Sequence, residues 1–223
     1  MQKMRLYGIG KTRWNRPYWL LREMGIEFEP VIIDPRVGEH QSDGFKKLNP
    51  NGKLPVLVDG DLVLFESVAI CHYLVEKYPE KRMMPDDPAS RARAYQWMMF
   101  CATELESALW RIDRHTFIYP EEKRLHADIE LAKEDYLGGA RVLDAHMEGR
   151  EFVAGERFSV ADVVSMTGCE PIDLQHVLAG SANIAMDGSV IQMTVSFLPG
   201  ATGAMYGHAF FHATTPAGHP YQG

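Results

Sequence analysis

Cysteine is scarce in this 223-residue chain: Cys71, Cys101 and Cys169 are odd in number, far apart and form no CxxC. That excludes a disulfide framework and a thioredoxin-type dithiol site. It suits a reducing compartment, so a cytoplasmic protein is expected. No apolar run approaches the roughly 18 residues of a membrane span, and the segment Met1–Tyr7 lacks the apolar core of a signal peptide. Basic residues are outnumbered, 23 Lys and Arg against 30 Asp and Glu, for a net charge of −7, and they form no cluster. Nucleic acid and anionic membrane are therefore not expected as partners.

The remaining composition, 46% hydrophobic and 24% charged, is that of a soluble globular chain and excludes collagen-like or fully disordered classes. Its first eighty residues alternate short strands and helices. Met4 to Gly8 reads as a strand. From Arg16 to Met24 the apolar residues recur at helical spacing, with Pro17 in the first turn and Gly25 as the stop. Phe28 to Ile33 is rich in β-branched residues and ends at Asp34-Pro35, a second strand. After a polar stretch and the turn Asn49-Pro50-Asn51-Gly52, two apolar runs flank Asp59-Gly60-Asp61, which predicts a hairpin over Leu54–Phe65. A helix from Glu66 to Tyr78 completes a β-α-β, β-β-α order.

Beyond a linker around Met84-Pro85-Asp86-Asp87-Pro88 the texture is helical. Asp87-Pro88 supplies a cap and a first-turn proline. The run to Arg114 carries Tyr95, Met98, Ala102, Leu105, Leu109 and Ile112 at steps of three and four. A second long helix is expected over residues 121–146, with Leu125, Ile129, Ala132, Tyr136, Leu143 and Met147 on one face. Phe158-Ser159-Val160-Ala161-Asp162 opens a third, Ser159 and Asp162 standing at capping-box spacing. Glu104, Glu106, Asp113 and Arg114 read as a solvated face, and Cys71 and Cys101 as inert fillers.

Lysine and arginine are absent altogether from residues 158–223, which are rich in Gly, Ala, Ser and Thr. No long amphipathic helix can be placed after about Ser165, and Val190–Phe197 has the composition of a strand. His208, His212 and His219 have metal-ligand spacing only if that region is helical, which Gly207 opposes, so no metal site is expected. The abrupt loss of both periodicity and basic residues suggests a frame change or replaced terminus. Translating the coding DNA in its other two frames tests this: a restored helical pattern supports it.

The informative chemistry lies in Asn49-Pro50-Asn51-Gly52-Lys53-Leu54-Pro55-Val56-Leu57 and in Phe65-Glu66-Ser67. A proline opening a strand cannot donate to the ladder. If its peptide bond is cis, the N–H and C=O of Leu54 are left to pair with an extended ligand. Glu66-Ser67 at a strand-to-helix junction sets a carboxylate and a hydroxyl beside free helix N–H groups. That suits a ligand carrying both an ammonium and a carboxylate. On the competing reading Pro55 merely starts a strand and Ser67 merely caps a helix.

Those two motifs, together with Thr12-Arg13-Trp14-Asn15-Arg16-Pro17-Tyr18-Trp19 and Phe158-Ser159-Val160-Ala161-Asp162, resemble the glutathione S-transferase superfamily, in particular its bacterial members. The resemblance covers residues 4 to about 164. It implies a thioredoxin-like α/β domain over 1–80 that binds glutathione, a linker over 81–87, and an all-α helical domain over 88–165, usually in a homodimer. Residues 166–223 depart from the family as an atypical tail. Carried over by residue, Leu54 before cis-Pro55 pairs its backbone with the cysteinyl part of glutathione, and Glu66 and Ser67 hold the γ-glutamyl ammonium and carboxylate. Lys53 and His40 face the glycyl end. The family places a Ser, Tyr or Cys after the first strand to favour the thiolate; here Thr12 is the nearest hydroxyl, with Asn15 as an amide donor and Arg13 as an electrostatic helper. Tyr7 and Tyr18 read as packing groups.

The function implied is conjugation of a glutathione thiolate to a small hydrophobic electrophile, with glutathione as cosubstrate and no metal or bound redox cofactor. The alternatives are a glutathione-dependent disulfide reductase or peroxidase, and a non-catalytic interaction module on the same fold.

Overall fold

The computed structural model describes residues 3–10 and 12–168, together with the backbone of strands at 183–187, 190–194 and 213–214. Four short strands form the N-terminal sheet: β1 (Arg5–Gly8), β2 (Glu29–Ile32), β3 (Val56–Asp59) and β4 (Leu62–Phe65), in the order β2-β1-β3-β4. β1 and β2 are parallel because helix α1 (Asn15–Glu23) crosses between them, whereas β3 runs antiparallel to both β1 and β4. Alternation along β1 and β3 sorts the core into two faces. Val56 and Val58 pack with Phe45 of the one-turn helix α2 (Asp43–Lys46), joined by Tyr7, Ile33, Leu48 and Leu54. Leu6 and Leu57, neighbours in register, point the other way and are fully buried.

Local signals set most of these boundaries. Gly60 turns the β3–β4 hairpin with a left-handed φ of 62°. Helix α1 stops at Gly25, whose N–H donates to the Arg22 carbonyl. Helix α3 (Ser67–Lys77) buries Ile70, Cys71, Leu74 and Val75. Helix α4 (Pro88–Phe100) opens where the Asp87 carboxylate accepts from the Ser90 N–H at 2.9 Å. It continues through a wide π turn, Cys101–Leu105, into α5 (Glu106–Asp113). The stripe expected on this run holds at Met98, Leu105 and Ile112. Elsewhere it shifts by one residue onto Ala94, Cys101 and Ala108, small side chains that allow close packing.

By packing, the chain forms two compact units. The first takes residues 1–110 and 152–169; the second takes 111–151 and the chain from Glu170 on. In the first unit helix α7 (Val160–Gly168) packs on α1, α3 and α4. Its start is held by Asp162, which is fully buried. Oδ1 accepts from the Val153 N–H (2.7 Å), and Oδ2 accepts from the Ser159 N–H (2.8 Å) and hydroxyl (2.9 Å). Ser159 Oγ in turn accepts from the Ala161 N–H at 3.3 Å. The aspartate thus reaches back as a capping-box glutamate does. Burial pushes its carboxyl up to about 6 against the lowering effect of these hydrogen bonds.

In the second unit helix α6 (His126–Met147) buries Ala132, Tyr136 and Ala140. It starts later than the predicted residue 121, because Glu121–Lys123 forms a 3-10 turn instead. Leu125, expected on the buried face, precedes the helix and is exposed. Arg111 holds Asp128 and Asp135, each at 2.5 Å. The Leu125 N–H donates to His115 Nδ1 at 3.1 Å, so Nε2 carries the imidazole proton and faces Asp128 at 3.2 Å. In the tail, a strand does form over Val190–Thr194, paired antiparallel with strands at 183–187 and 213–214. His208, His212 and His219 lie outside the described residues. Among the described residues no helix is long and apolar enough to cross a membrane.

Candidate functional site

Strand register brings three distant segments to one end of the sheet. Tyr7, Val56 and Phe65 are successive neighbours across β1, β3 and β4. The chain leaving β1 at Gly8, the residues Leu54-Pro55 entering β3, and Glu66-Ser67 leaving β4 therefore meet at that end. The Leu54–Pro55 peptide bond is cis. The Leu54 N–H and C=O make no hydrogen bond to another described residue.

The loop before Leu54 is built around Asn49, which is buried. Its amide donates to the Lys53 carbonyl (2.7 Å) and its side-chain oxygen accepts from the Asn51 N–H (3.0 Å). Gly52 takes a left-handed φ of 57°, and a Cβ there would lie 2.9 Å from the His40 carbonyl oxygen. Gln41 donates to the Gly52 carbonyl at 3.2 Å. The His40 backbone thus lies against Gly52, and the exposed ammonium of the next residue, Lys53, lies 5.8 Å from the ring centre of Trp110.

At the β4–α3 junction Glu66 is exposed and adopts φ 73°, ψ 110°, a region that side chains other than glycine rarely occupy. Residues held in such conformations cluster at ligand-binding positions. Ser67 is buried, and its Oγ accepts a hydrogen bond of 3.0 Å from Arg16 Nη1.

The third segment is the turn into α1. Gly8 allows it to fold back on β1: a Cβ there would stand 2.2 Å from Trp14 Cδ1. Trp14 in turn stacks on Tyr18, ring centres 4.2 Å apart. Thr12 donates its hydroxyl proton to the Ile9 carbonyl (2.7 Å) and accepts from the Trp14 N–H (3.3 Å). Asn15, the first helical residue, donates its backbone N–H to the Thr12 carbonyl at 3.0 Å. No acid lies in the first turn of α1, so the positive end of its dipole is not offset there.

Two residues that the sequence pattern does not place at the site, Arg16 and Glu106, complete the neighbourhood. Arg16 is 1% exposed; besides Ser67 it pairs through Nη2 with Glu106 Oε2 at 2.5 Å. Glu106 also pairs with Arg13, which lies over Trp110 at 5.1 Å. Glu106 is therefore not part of a solvated face, and neither is Asp113, which is buried. Local pattern alone does not show this, because what pairs with or covers them lies far away in sequence. One signal was available for Arg16. It stands four residues before Leu20, on the buried stripe of α1, where an arginine needs a partner. Cys71 is buried near Arg16, and desolvation pushes its thiol up to about 12 while the Arg16 charge opposes the rise. Among the described residues no cluster could hold a metal ion.

The end of the sheet thus offers a backbone N–H and C=O, a carboxylate, a hydroxyl at a helix start, a lysine ammonium, and a second hydroxyl in the α1 turn. It matches an extended, zwitterionic peptide.

Comparison with known proteins identifies the family. Residues 2–76 match the model of the glutathione S-transferase N-terminal domain. Glutathione S-transferase 1 of Dianthus caryophyllus is 34% identical over 168 residues, 73% of this chain and 74% of that protein. Glutathione S-transferase GstB of Escherichia coli strain K12 is 32% identical over 145 residues, 64% and 70% of the two chains. A glutathione transferase of Burkholderia graminis, solved with two glutathione molecules per subunit, superposes with a TM-score of 0.72 at 26% identity, over 79% of this chain and 77% of that one. By these matches the chain belongs to the glutathione S-transferase superfamily.

Proposed function

We propose that this chain binds glutathione at the end of its N-terminal sheet and transfers the thiolate to a small hydrophobic electrophile. The observation that carries the reading is the convergence of Leu54, Glu66, Ser67 and Thr12 through the register Tyr7–Val56–Phe65. Leu54 pairs its backbone with the cysteinyl residue. Glu66 takes the γ-glutamyl ammonium and Ser67 the γ-glutamyl carboxylate, with Pro55 fixing the turn between them and the cysteinyl strand. Lys53 and His40 receive the glycyl carboxylate. Thr12, with Asn15 and the charge of Arg13 behind it, favours the thiolate at the α1 dipole. The thiol loses its proton to solvent, the sulfur forms a bond to the electrophilic carbon, and the leaving group departs with the displaced electron pair. Holding both reactants supplies proximity. The Dianthus, Escherichia and Burkholderia relatives, all named as transferases of this kind, support the assignment.

A homodimer is part of the same reading, and sedimentation analysis of the purified chain tests it. The test of function is a calorimetric titration of glutathione near neutral pH, followed by turnover with a nitroaryl chloride. Saturable binding at one site per chain with product formation is expected. Binding without turnover favours the non-catalytic module, for which one observation speaks: the Thr12 hydroxyl proton is already given to Ile9. No binding by the folded chain overturns the transferase reading and points to the interaction module.

A further inference from the structure

We infer that Trp110 is a positioning residue for the bound thiol: together with Glu106 it fixes the guanidinium of Arg13 beside the sulfur, without touching the sulfur itself. The inference rests on the reading that seats glutathione at the end of the sheet with its thiol at the α1 turn. Glu106 and Trp110 stand four residues apart on α5 and so share one face of that helix. The wide π turn Cys101–Leu105 ends immediately before Glu106. Its extra residue rotates the face that α5 presents, and such turns are frequent at functional sites.

Arg13 follows Thr12 and keeps 36% of its side chain exposed, so its guanidinium can face a ligand. Two contacts orient it. Its Nε pairs with Glu106 Oε1, and its guanidinium carbon lies over Trp110, 5.1 Å from the ring centre. A planar fork held at one edge by a carboxylate and at one face by an indole has little freedom left. The same ring is reached from the opposite segment, where Lys53 Nζ lies 5.8 Å from its centre. Trp110 therefore stands within a side chain's reach of both Arg13, next to Thr12, and Lys53, next to Leu54. On the reading above, those are the two segments that flank the cysteinyl residue. A cation held there favours thiolate over thiol. An arginine left to swing in water gives less, because solvent and salt screen a charge that is not kept close.

The test reads the pKa of the thiol of glutathione bound to the full chain, from the ultraviolet absorbance of its thiolate, beside calorimetric affinity and turnover. Trp110→Leu, which alters no charge, is expected to raise that pKa by about 0.5–1. Turnover near pH 7 then falls about 3- to 10-fold, with affinity kept within about threefold. Trp110→Phe, which keeps an aromatic face, is expected to recover most of the difference. Arg13→Ala is expected to raise the pKa at least as far, and adding Trp110→Leu to it should change little further. Lower turnover of Trp110→Leu with the thiol pKa of the parent overturns the inference and gives Trp110 a contact with the electrophile instead. If the Leu variant fails to fold, Trp110→Phe and Arg13→Ala serve, and an unmoved thiol pKa in Arg13→Ala overturns the inference by itself. A parent chain that binds glutathione but leaves its thiol titrating as in solution sinks this inference alone. A parent chain that does not bind glutathione sinks the underlying reading, and this inference with it.

Discussion

Glu66 combines a proposed ligand role with a disfavoured backbone, and two substitutions separate them. At φ 73°, ψ 110° the side chain crowds its own backbone, at a cost of about 1–3 kcal/mol. Glu66→Ala removes the carboxylate and keeps the Cβ. The side chain is exposed and makes no capping bond to α3, so stability should stay within about 0.5 kcal/mol. Glu66→Gly removes the crowding as well, but adds about 0.5–1 kcal/mol of backbone freedom to the unfolded chain. The balance favours Gly over Ala by about 1 kcal/mol, which for a chain of this length raises Tm by about 2–4 °C. Both variants lose the charged contact to the ammonium, about 1.5–3 kcal/mol, so glutathione should bind about 10- to 150-fold more weakly to either. Urea melts and calorimetric titration read the two effects independently. A glycine variant no more stable than the alanine variant refutes the strain argument. Full affinity in both refutes the ammonium assignment.

Asp162 supplies a pH signature. Its carboxyl, raised from 3.8 to about 6, stays protonated in the folded chain at pH values where the unfolded chain has already ionised. The stability it gives is complete below about pH 4 and is lost as pH rises through about 6, by about 3 kcal/mol in all. The advantage of the parent over Asp162→Asn in urea melts should shrink accordingly between pH 4 and 7; a constant difference rules the shift out. Gly8→Ala should cost about 1–3 kcal/mol by driving a methyl group into Trp14, and should lower glutathione-dependent turnover by displacing the Thr12 turn. A variant as stable as the parent would show that the turn yields freely. Lys53 is exposed, so Lys53→Ala should weaken glutathione by no more than about 1 kcal/mol. The difference should fade at 1 M salt, and a salt-independent loss would point to a buried contact instead.

What could be read from the sequence was local. The Asp59-Gly60 turn, the Gly25 stop and the Asp87-Pro88 helix start each depend on a few adjacent residues, and each lies where expected. The capping partnership of Ser159 and Asp162 was equally visible, although the burial that raises the Asp162 carboxyl was not. The site is a different matter. Thr12, Leu54 and Ser67 are brought together by pairing between β1, β3 and β4, which no short pattern encodes; family resemblance stood in for it. The Arg16–Glu106 pair spans ninety positions and could not be read from spacing. Asn49 looked like a turn residue; its amide turned out to hold the loop from inside, a role set by burial.

Magnitudes decide how much of the thiol chemistry can belong to Thr12. Its hydroxyl proton is held by the Ile9 carbonyl, so serving a bound sulfur means leaving that acceptor. A neutral hydrogen bond contributes about 0.5–1.5 kcal/mol and one to a charged acceptor about 1.5–3 kcal/mol, so the exchange is favourable for a thiolate and not for a thiol. The net gain of about 1 kcal/mol lowers the thiol pKa by about 0.7, from about 8.5 to about 7.8. At pH 7 that raises the thiolate fraction roughly fourfold; any larger activation must come from the guanidinium groups and the α1 dipole. Thr12→Ala should therefore reduce kcat about fourfold near pH 7, leave glutathione affinity within twofold, and match the parent above about pH 9, where the thiol ionises unaided. A loss beyond a hundredfold, or one that persists at high pH, would show that the hydroxyl does more than exchange one acceptor for another. An unchanged rate would leave activation to the charges alone and return Thr12 to the turn it already stabilises.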